Sequence, residues 1–508
     1  MDRPLLSVRS RLDDFLAELA TLQYRYGAGL SPDLPVARLY ASFPELSSPE
    51  TFAAANEALA RAKGKDDPDP VAIRRISLVR ELIATQVEES LALPAADAVV
   101  ALEARSHIPA DDTTLSLAQA LSQLPRESNR ARRALLERGA GNFLWENRGP
   151  YGDRRDATLQ TAEVLGFPDY PSLRQDVTGI DAGKLAEGAE ETLKRTEDAY
   201  RDVLAYVLRK LEPTLRPLPG GEARRHDVQH ALRAPWMDAH FRREDTVPAV
   251  MRWLSDWGLH PNAGSRIRLD DEARPGKASR PFVAAVRVPH EIRLVLQPRS
   301  GMDALGDLLH ELGHAWHLAH VDEDAPMELR RLGDASVTEA YAATFERLLL
   351  SPPWLKRYLG LPSGTTKDAV RLAAFQALAV LRRHCAKLSY ELSLSTKGAS
   401  ADRADEYADG QRRALFAQPH PGFFLHDVDS QLYVTRYLRA WALETRLTAS
   451  LLERFNEDFW RNPAAFAWLK GLFARGGAAD AEGLATEVSG TPLALPEAGA
   501  RLVAILNQ

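Results

Sequence analysis

The 508-residue chain carries 64 Lys and Arg against 70 Asp and Glu, a net charge of −6 at pH 7 and a sequence pI near 6.2, so the basic footprint of a nucleic-acid-binding protein is absent. A single cysteine, Cys385, excludes an internal disulfide and fits a reducing compartment. No run approaches 18 apolar residues, and Met1 to Ser10 lack an apolar stretch followed by a cleavage site, so a soluble cytoplasmic protein without a membrane partner is expected.

Helical periodicity dominates the N-terminal half. Alanine- and leucine-rich segments such as Leu12–Tyr26, Val71–Leu93 and Ala186–Leu211 alternate with short breakers. Lys63–Pro70 and the proline- and glycine-rich Glu212–Gly221 are expected loops. The second is the expected linker between an N-terminal helical lobe, residues 1–211, and a catalytic region, residues 222–508. Phe282–Val288 and Ile292–Leu296 are the clearest strand-like runs, separated by Pro289-His-Glu. A strand edge there could pair with an extended peptide, or the pair could be a supporting hairpin with His290 at its surface turn.

Asp303 to Ala319 follows without a proline, and Leu305, Leu308, Leu309 and Leu312 form one buried helical stripe. This helix carries His310-Glu-Leu-Gly-His314, the HExxH of zinc peptidases. Histidines at i and i+4 are offset by about 40° on a helix, so both imidazoles reach one ion from the same face. Glu311 is placed to take a proton from the attacking water instead of binding the metal. A core helix with two internally hydrogen-bonded histidines is the plainer alternative.

Zinc needs a third protein ligand and an open fourth position. His320 lies six residues after His314, but His317 stands where a helix-breaking glycine would be needed to swing it round. On an uninterrupted helix it points about 240° away from His314, which suits a capping role. Glu339, 25 residues after His314, lies in Gly333-Asp-Ala-Ser-Val-Thr-Glu, a strong helix start. Its spacing is that of the glutamate zincins, whose third ligand rides on the following helix. Ser336-x-x-Glu339 is also a capping box, unless Asp334 caps instead. Glu346, two turns on along the same face, is the fallback ligand or a hydrogen-bond partner of one.

Further on, the loop Gln418-Pro-His-Pro-Gly leads into His426-Asp-Val-Asp-Ser-Gln-Leu-Tyr433-Val-Thr-Arg436-Tyr437. Tyr433 and Tyr437, at i and i+4, share a helical face. Either could be a core tyrosine, and Arg436 could bind a substrate carboxylate or form a surface ion pair.

From Gly276-Lys277 through Leu309-His-Glu-Leu-Gly-His-Ala-Trp-His, Glu339 and the tyrosine-rich C-terminal helix, residues 270–445 resemble the M3 oligopeptidases, the thimet oligopeptidase and oligopeptidase F group. The motif is close to that family's HExGHxxH, with kinship to peptidyl-dipeptidases and M32 carboxypeptidases. The resemblance implies a mainly α fold: a zincin-type catalytic core with a small β-sheet beside the HExxH helix, and helical lobes flanking a channel that admits short peptides. It implies one Zn²⁺ on His310, His314 and Glu339. It also implies that a histidine or tyrosine among His426, Tyr433 and Tyr437 donates to the oxyanion, although the tyrosine spacing departs from the family's. Where some relatives orient a zinc histidine with an aspartate, this chain has Ala343, leaving Asp334, Thr344 and Glu346 as nearby partners. The function implied is zinc-dependent cleavage of internal bonds in short peptides. The alternatives are a metallocarboxypeptidase or peptidyl-dipeptidase acting at C-termini, and a non-catalytic peptide-binding relative.

Overall fold

Alanine- and leucine-rich stretches with few prolines fold as helices along most of the chain in a computed structural model, which describes residues 3–213, 215–218, 221–258, 266–297 and 299–508. The expected linker Glu212–Gly221 falls partly outside the described residues, at positions 214, 219 and 220. The chain forms two units of three segments each. The first comprises Met1–Gln86, Trp236–Val370 and Arg439–Leu493; the second comprises Val87–Pro235, Arg371–Leu438 and Ala494–Gln508. No helix among the described residues is long and apolar enough to cross a membrane.

The first unit holds the expected sheet. Strands β1 (Ile267–Asp270), β2 (Phe282–Arg287) and β3 (Glu291–Val295) lie in the order β1-β3-β2, with β1 parallel and β2 antiparallel to the central β3. Buried Lys277 ties the β1–β2 connection down, donating to Asp270 O and Oδ1 at 2.9 Å each and to Glu272 O at 2.6 Å. The N-terminal helix Arg3–Gly27 packs beside β2. It ends at Gly27, whose carbonyl accepts from Ala278 N–H at 2.8 Å. Trp253, Trp354 and Trp460 are fully buried in this unit, with Trp253 Nε1 donating to the Trp460 carbonyl at 2.8 Å. Each such ring contributes roughly 2–3 kcal/mol through removal from water.

Among the described residues, the second unit is helical apart from two short strand pairs. Ile108–Ala110 runs antiparallel to Thr113–Leu115, and Ala223–Arg224 runs parallel to Ala417–Gln418. These two- and three-residue strands are too short to leave a period in the sequence. The expected helix Ala186–Leu211 is broken at Thr196 into Ala182–Arg195 and Glu197–Leu211. Buried Arg382 explains the break. Its Nη1 donates to Leu193 O and Thr196 Oγ1 at 2.6 Å each, taking a carbonyl that a continuing helix would use.

Candidate metal centre

The HExxH motif lies on the helix Met302–Ala319, which buries Leu305, Leu308, Leu309, Leu312, Ala315 and Trp316. The next long helix, Ala335–Glu346, packs against it at backbone contact. Gly313 makes this possible: a Cβ there would lie 2.6 Å from Ala342 Cα and 3.0 Å from the Tyr341 carbonyl. The second helix is capped by Asp334, whose Oδ1 accepts from Ser336 N–H at 2.9 Å, while the Ser336 hydroxyl receives Arg439 Nη1. The capping-box alternative for Glu339 is therefore not the one adopted, and its carboxylate faces the two histidines.

Glu339 Oε2 lies 3.4 Å from His310 Nε2 and 3.7 Å from His314 Nε2. One donor atom from each of the three residues falls within 4.8 Å of the others. Tetrahedral bonds of about 2.0–2.1 Å separate donors by about 3.3 Å, so these residues fit a zinc ion with little movement. Two imidazoles and one carboxylate are also the donor set that leaves a coordination position open. The far nitrogens are held as well. His310 Nδ1 lies 3.2 Å from Glu346 Oε2, and His314 Nδ1 lies 2.9 Å from Thr338 Oγ1.

Charges around the cluster are arranged for a cation. Burial opposes protonation of His310, but hydrogen bonds to Glu339 and Glu346 outweigh it and raise its pKa to about 10. His314 is pushed down to about 4, by burial and by the neighbouring His310. Desolvation opposes ionisation of the half-buried Glu346, yet Arg347 and His310 hold its carboxylate down at about 2. Glu311 differs: burial dominates and raises it to about 7 against the attraction of His310, with Glu339 and Asp307 adding repulsion. This carboxyl group, raised towards neutrality, stands beside the His310, His314 and Glu339 cluster.

The sheet reaches this point. Ile292 and Leu296 donate their N–H groups to Arg266 and Asp270 on the β1 side. The residues opposite Ile292 and Leu294, Ala285 and Val283, therefore turn their backbone groups to the outer edge of β2. Val283 N–H bonds the Glu311 carboxylate. Further along, Arg331 Nη1 donates to the carbonyls of Ala285 at 3.0 Å and Val286 at 3.1 Å.

His320 closes the motif helix, with Nδ1 at 2.8 Å from the Trp316 carbonyl and its ring stacked on Trp316, outside the metal cluster. His290 is exposed at the turn between β2 and β3. Of the expected hydrogen-bond partners, Glu346 meets His310, while the Thr344 hydroxyl turns to Ala340 O and Asp334 is the helix cap. His426, Tyr433, Arg436 and Tyr437 belong to the second unit. His426 is half-buried near the rings of Tyr151 and Phe423, and its pKa is lowered by burial. Tyr433 and Tyr437 share a face, with ring centroids 4.9 Å apart, and Tyr437 stacks on His384 at 4.8 Å. Arg436 is buried, so it is not a surface ion-pair residue. Thr338 has no part in the motifs read from the sequence, and His317 enters there only as the residue that lets the helix continue and as the last histidine of the HExGHxxH match. The i, i+3 spacing from His314 to His317, and the place of Thr338 next to Glu339, were the available signals.

The fold is that of the mainly helical oligopeptidases. The chain is similar to PZ peptidase A, solved with an inhibitor, at a TM-score of 0.68 with 14% identity over 98% of this chain and 92% of that one. It is equally similar to oligoendopeptidase F, at a TM-score of 0.68 and 14% identity over 98% and 90% of the two chains. At such identity the likeness lies in the fold. No protein-family profile and no curated protein matches the sequence.

Proposed function

We propose that this protein is a zinc-dependent oligopeptidase cleaving internal bonds of short peptides. The observation that carries the reading is the meeting of His310, His314 and Glu339 around one point, with Glu311 beside them. His310 and His314 would hold zinc through Nε2 and Glu339 through its carboxylate. Bound there, zinc supplies Lewis acidity to the scissile carbonyl and lowers the pKa of a water it holds to about 7. Glu311 accepts the proton of the attacking water and passes it to the leaving amine. The outer edge of β2 offers backbone groups to an extended peptide, which gives affinity with little sequence preference. Arg331 takes the Ala285 and Val286 carbonyls and Glu311 takes the Val283 N–H, so a peptide pairing along this edge would have to displace one of these contacts. Tyr433, Tyr437 and His426 are the candidate oxyanion donors and Arg436 the candidate contact for a substrate carboxylate; phenylalanine at either tyrosine tests the first by lowering kcat more than it raises KM.

The test is mass-spectrometric mapping of cuts in a library of short peptides, free and amidated at the C-terminus. Internal cuts in both sets support the oligopeptidase reading. Cuts confined to free C-termini replace it with the exopeptidase alternative.

A further inference from the structure

Thr338 Oγ1 lies within hydrogen-bond distance of two histidines, 2.9 Å from His314 Nδ1 and 3.1 Å from His317 Nδ1. We infer that the three form a directed chain that holds His314 in the tautomer a metal requires: His314 Nδ1–H donates to the Thr338 hydroxyl, and that hydroxyl donates to His317 Nδ1. The inference rests on the metal-centre reading above and deepens it, naming Thr338 and His317 as positioning residues.

The direction follows from counting protons. A threonine hydroxyl has one proton to give and lone pairs to receive. A metal bound at His314 Nε2 requires that nitrogen bare, so the ring's proton sits on Nδ1 and points at Thr338. The hydroxyl proton is then available to His317 Nδ1, which must accept it and carry its own proton on Nε2. The reverse direction would place a proton on His314 Nε2, where the ion binds.

The surroundings suit this arrangement. His317 is buried, with its ring 4.9 Å from that of Tyr341 and 5.7 Å from that of Phe473. Burial drives its pKa down to about 3, so it stays a neutral ring able to accept. Its Nε2 has no hydrogen-bond partner among the described residues, and an N–H is better tolerated than a lone pair beside aromatic faces. Thr338 and Glu339 are adjacent on one helical turn, about 100° apart. One turn thus supplies both the third ligand and the group that fixes the second from behind. His310 uses a carboxylate for the same purpose, through Glu346.

Two measurements test this, both on the full chain with zinc alone as the probe. Zinc affinity is read by competition with a chromophoric chelator in wild type, Thr338→Val and Thr338→Ser. The expected result is a roughly 10–100-fold loss in the valine variant, the range for losing a ligand's hydrogen-bond partner, with recovery in the serine variant. Equal affinity in wild type and Thr338→Val overturns the inference. A wild type that binds no zinc contradicts the metal-centre reading instead. The second measurement needs no variant: nitrogen NMR of ¹⁵N-histidine-labelled, zinc-loaded protein reports each ring's tautomer. His317 protonated at Nε2 supports the chain, and His317 protonated at Nδ1 overturns its direction.

Discussion

Replacing Gly313 with alanine separates the geometry of the metal centre from the stability of the helix that carries it. Alanine in a helix interior is favoured over glycine by about 1 kcal/mol. Here the added methyl would sit 2.6 Å from Ala342 Cα and 3.0 Å from the Tyr341 carbonyl, about 1 Å inside ordinary carbon–carbon contact. Those are backbone atoms of the helix Ala335–Glu346, so no side-chain rotation relieves the clash. Overpacking of this kind costs about 1–3 kcal/mol, which leaves a net loss of about 0–2 kcal/mol after the propensity gain. The larger effect falls on Glu339, one turn before Ala342 on the displaced helix. Metal sites tolerate deviations of about 0.2 Å, whereas the helices must part by about 1 Å. Zinc affinity in Gly313→Ala is expected to fall about tenfold or more, equivalent to at least about 1.4 kcal/mol. Chelator competition measures the affinity, and thermal unfolding of the metal-free protein measures the stability. An affinity within twofold of wild type, with stability raised by about 1 kcal/mol, would refute the close-approach explanation.

Glu339→Gln is expected to weaken zinc binding, while His320→Ala leaves it unchanged because His320 bonds the Trp316 carbonyl; the opposite pattern in metal analysis would reverse the ligand assignment. Glu346→Gln, which removes the carboxylate beside His310 Nδ1, should lower zinc affinity by about 10–100-fold, read by the same competition. Asp427 supplies an acid-stability prediction. Burial pushes its pKa up, but Arg383, Lys387 and Arg225 outweigh this and hold it down at about 2. A carboxylate depressed on folding stabilises above its unfolded value, near 3.9, and that contribution is lost as pH falls towards 2. Asp427→Asn should therefore flatten the decline in unfolding midpoint between about pH 4 and 2, removing about 1–3 kcal/mol of pH-dependent stability. An unchanged pH profile would show that the ion pairs of Asp427 contribute nothing.

The motif helix was legible because its signals agree: leucines at helical spacing, two histidines one turn apart and no proline. Glu339 was legible through spacing and through Asp334, which offered another cap. What escaped is what depends on the far side of a ligand. Thr338 has no pattern of its own; it matters because Gly313 lets its helix approach closely enough to touch His314 and His317. Elsewhere, the break at Thr196 is imposed by Arg382, distant in sequence, and no local propensity reports it. The helix expected to end at Leu93 continues through Pro94 to Ala104. Three of the boundaries between the two units fall inside helices, where composition does not change.

The proposed chemistry turns on Glu311 acting as base beside a bound metal. Zinc-loaded wild type and Glu311→Gln, matched in metal content, would be compared for cleavage of the same mixed short peptides. Both proteins are expected to bind zinc, with turnover lower by several orders of magnitude in the variant, at least about 10²–10⁴-fold. Comparable turnover by the two proteins, with zinc present in each, would contradict the proposed chemistry.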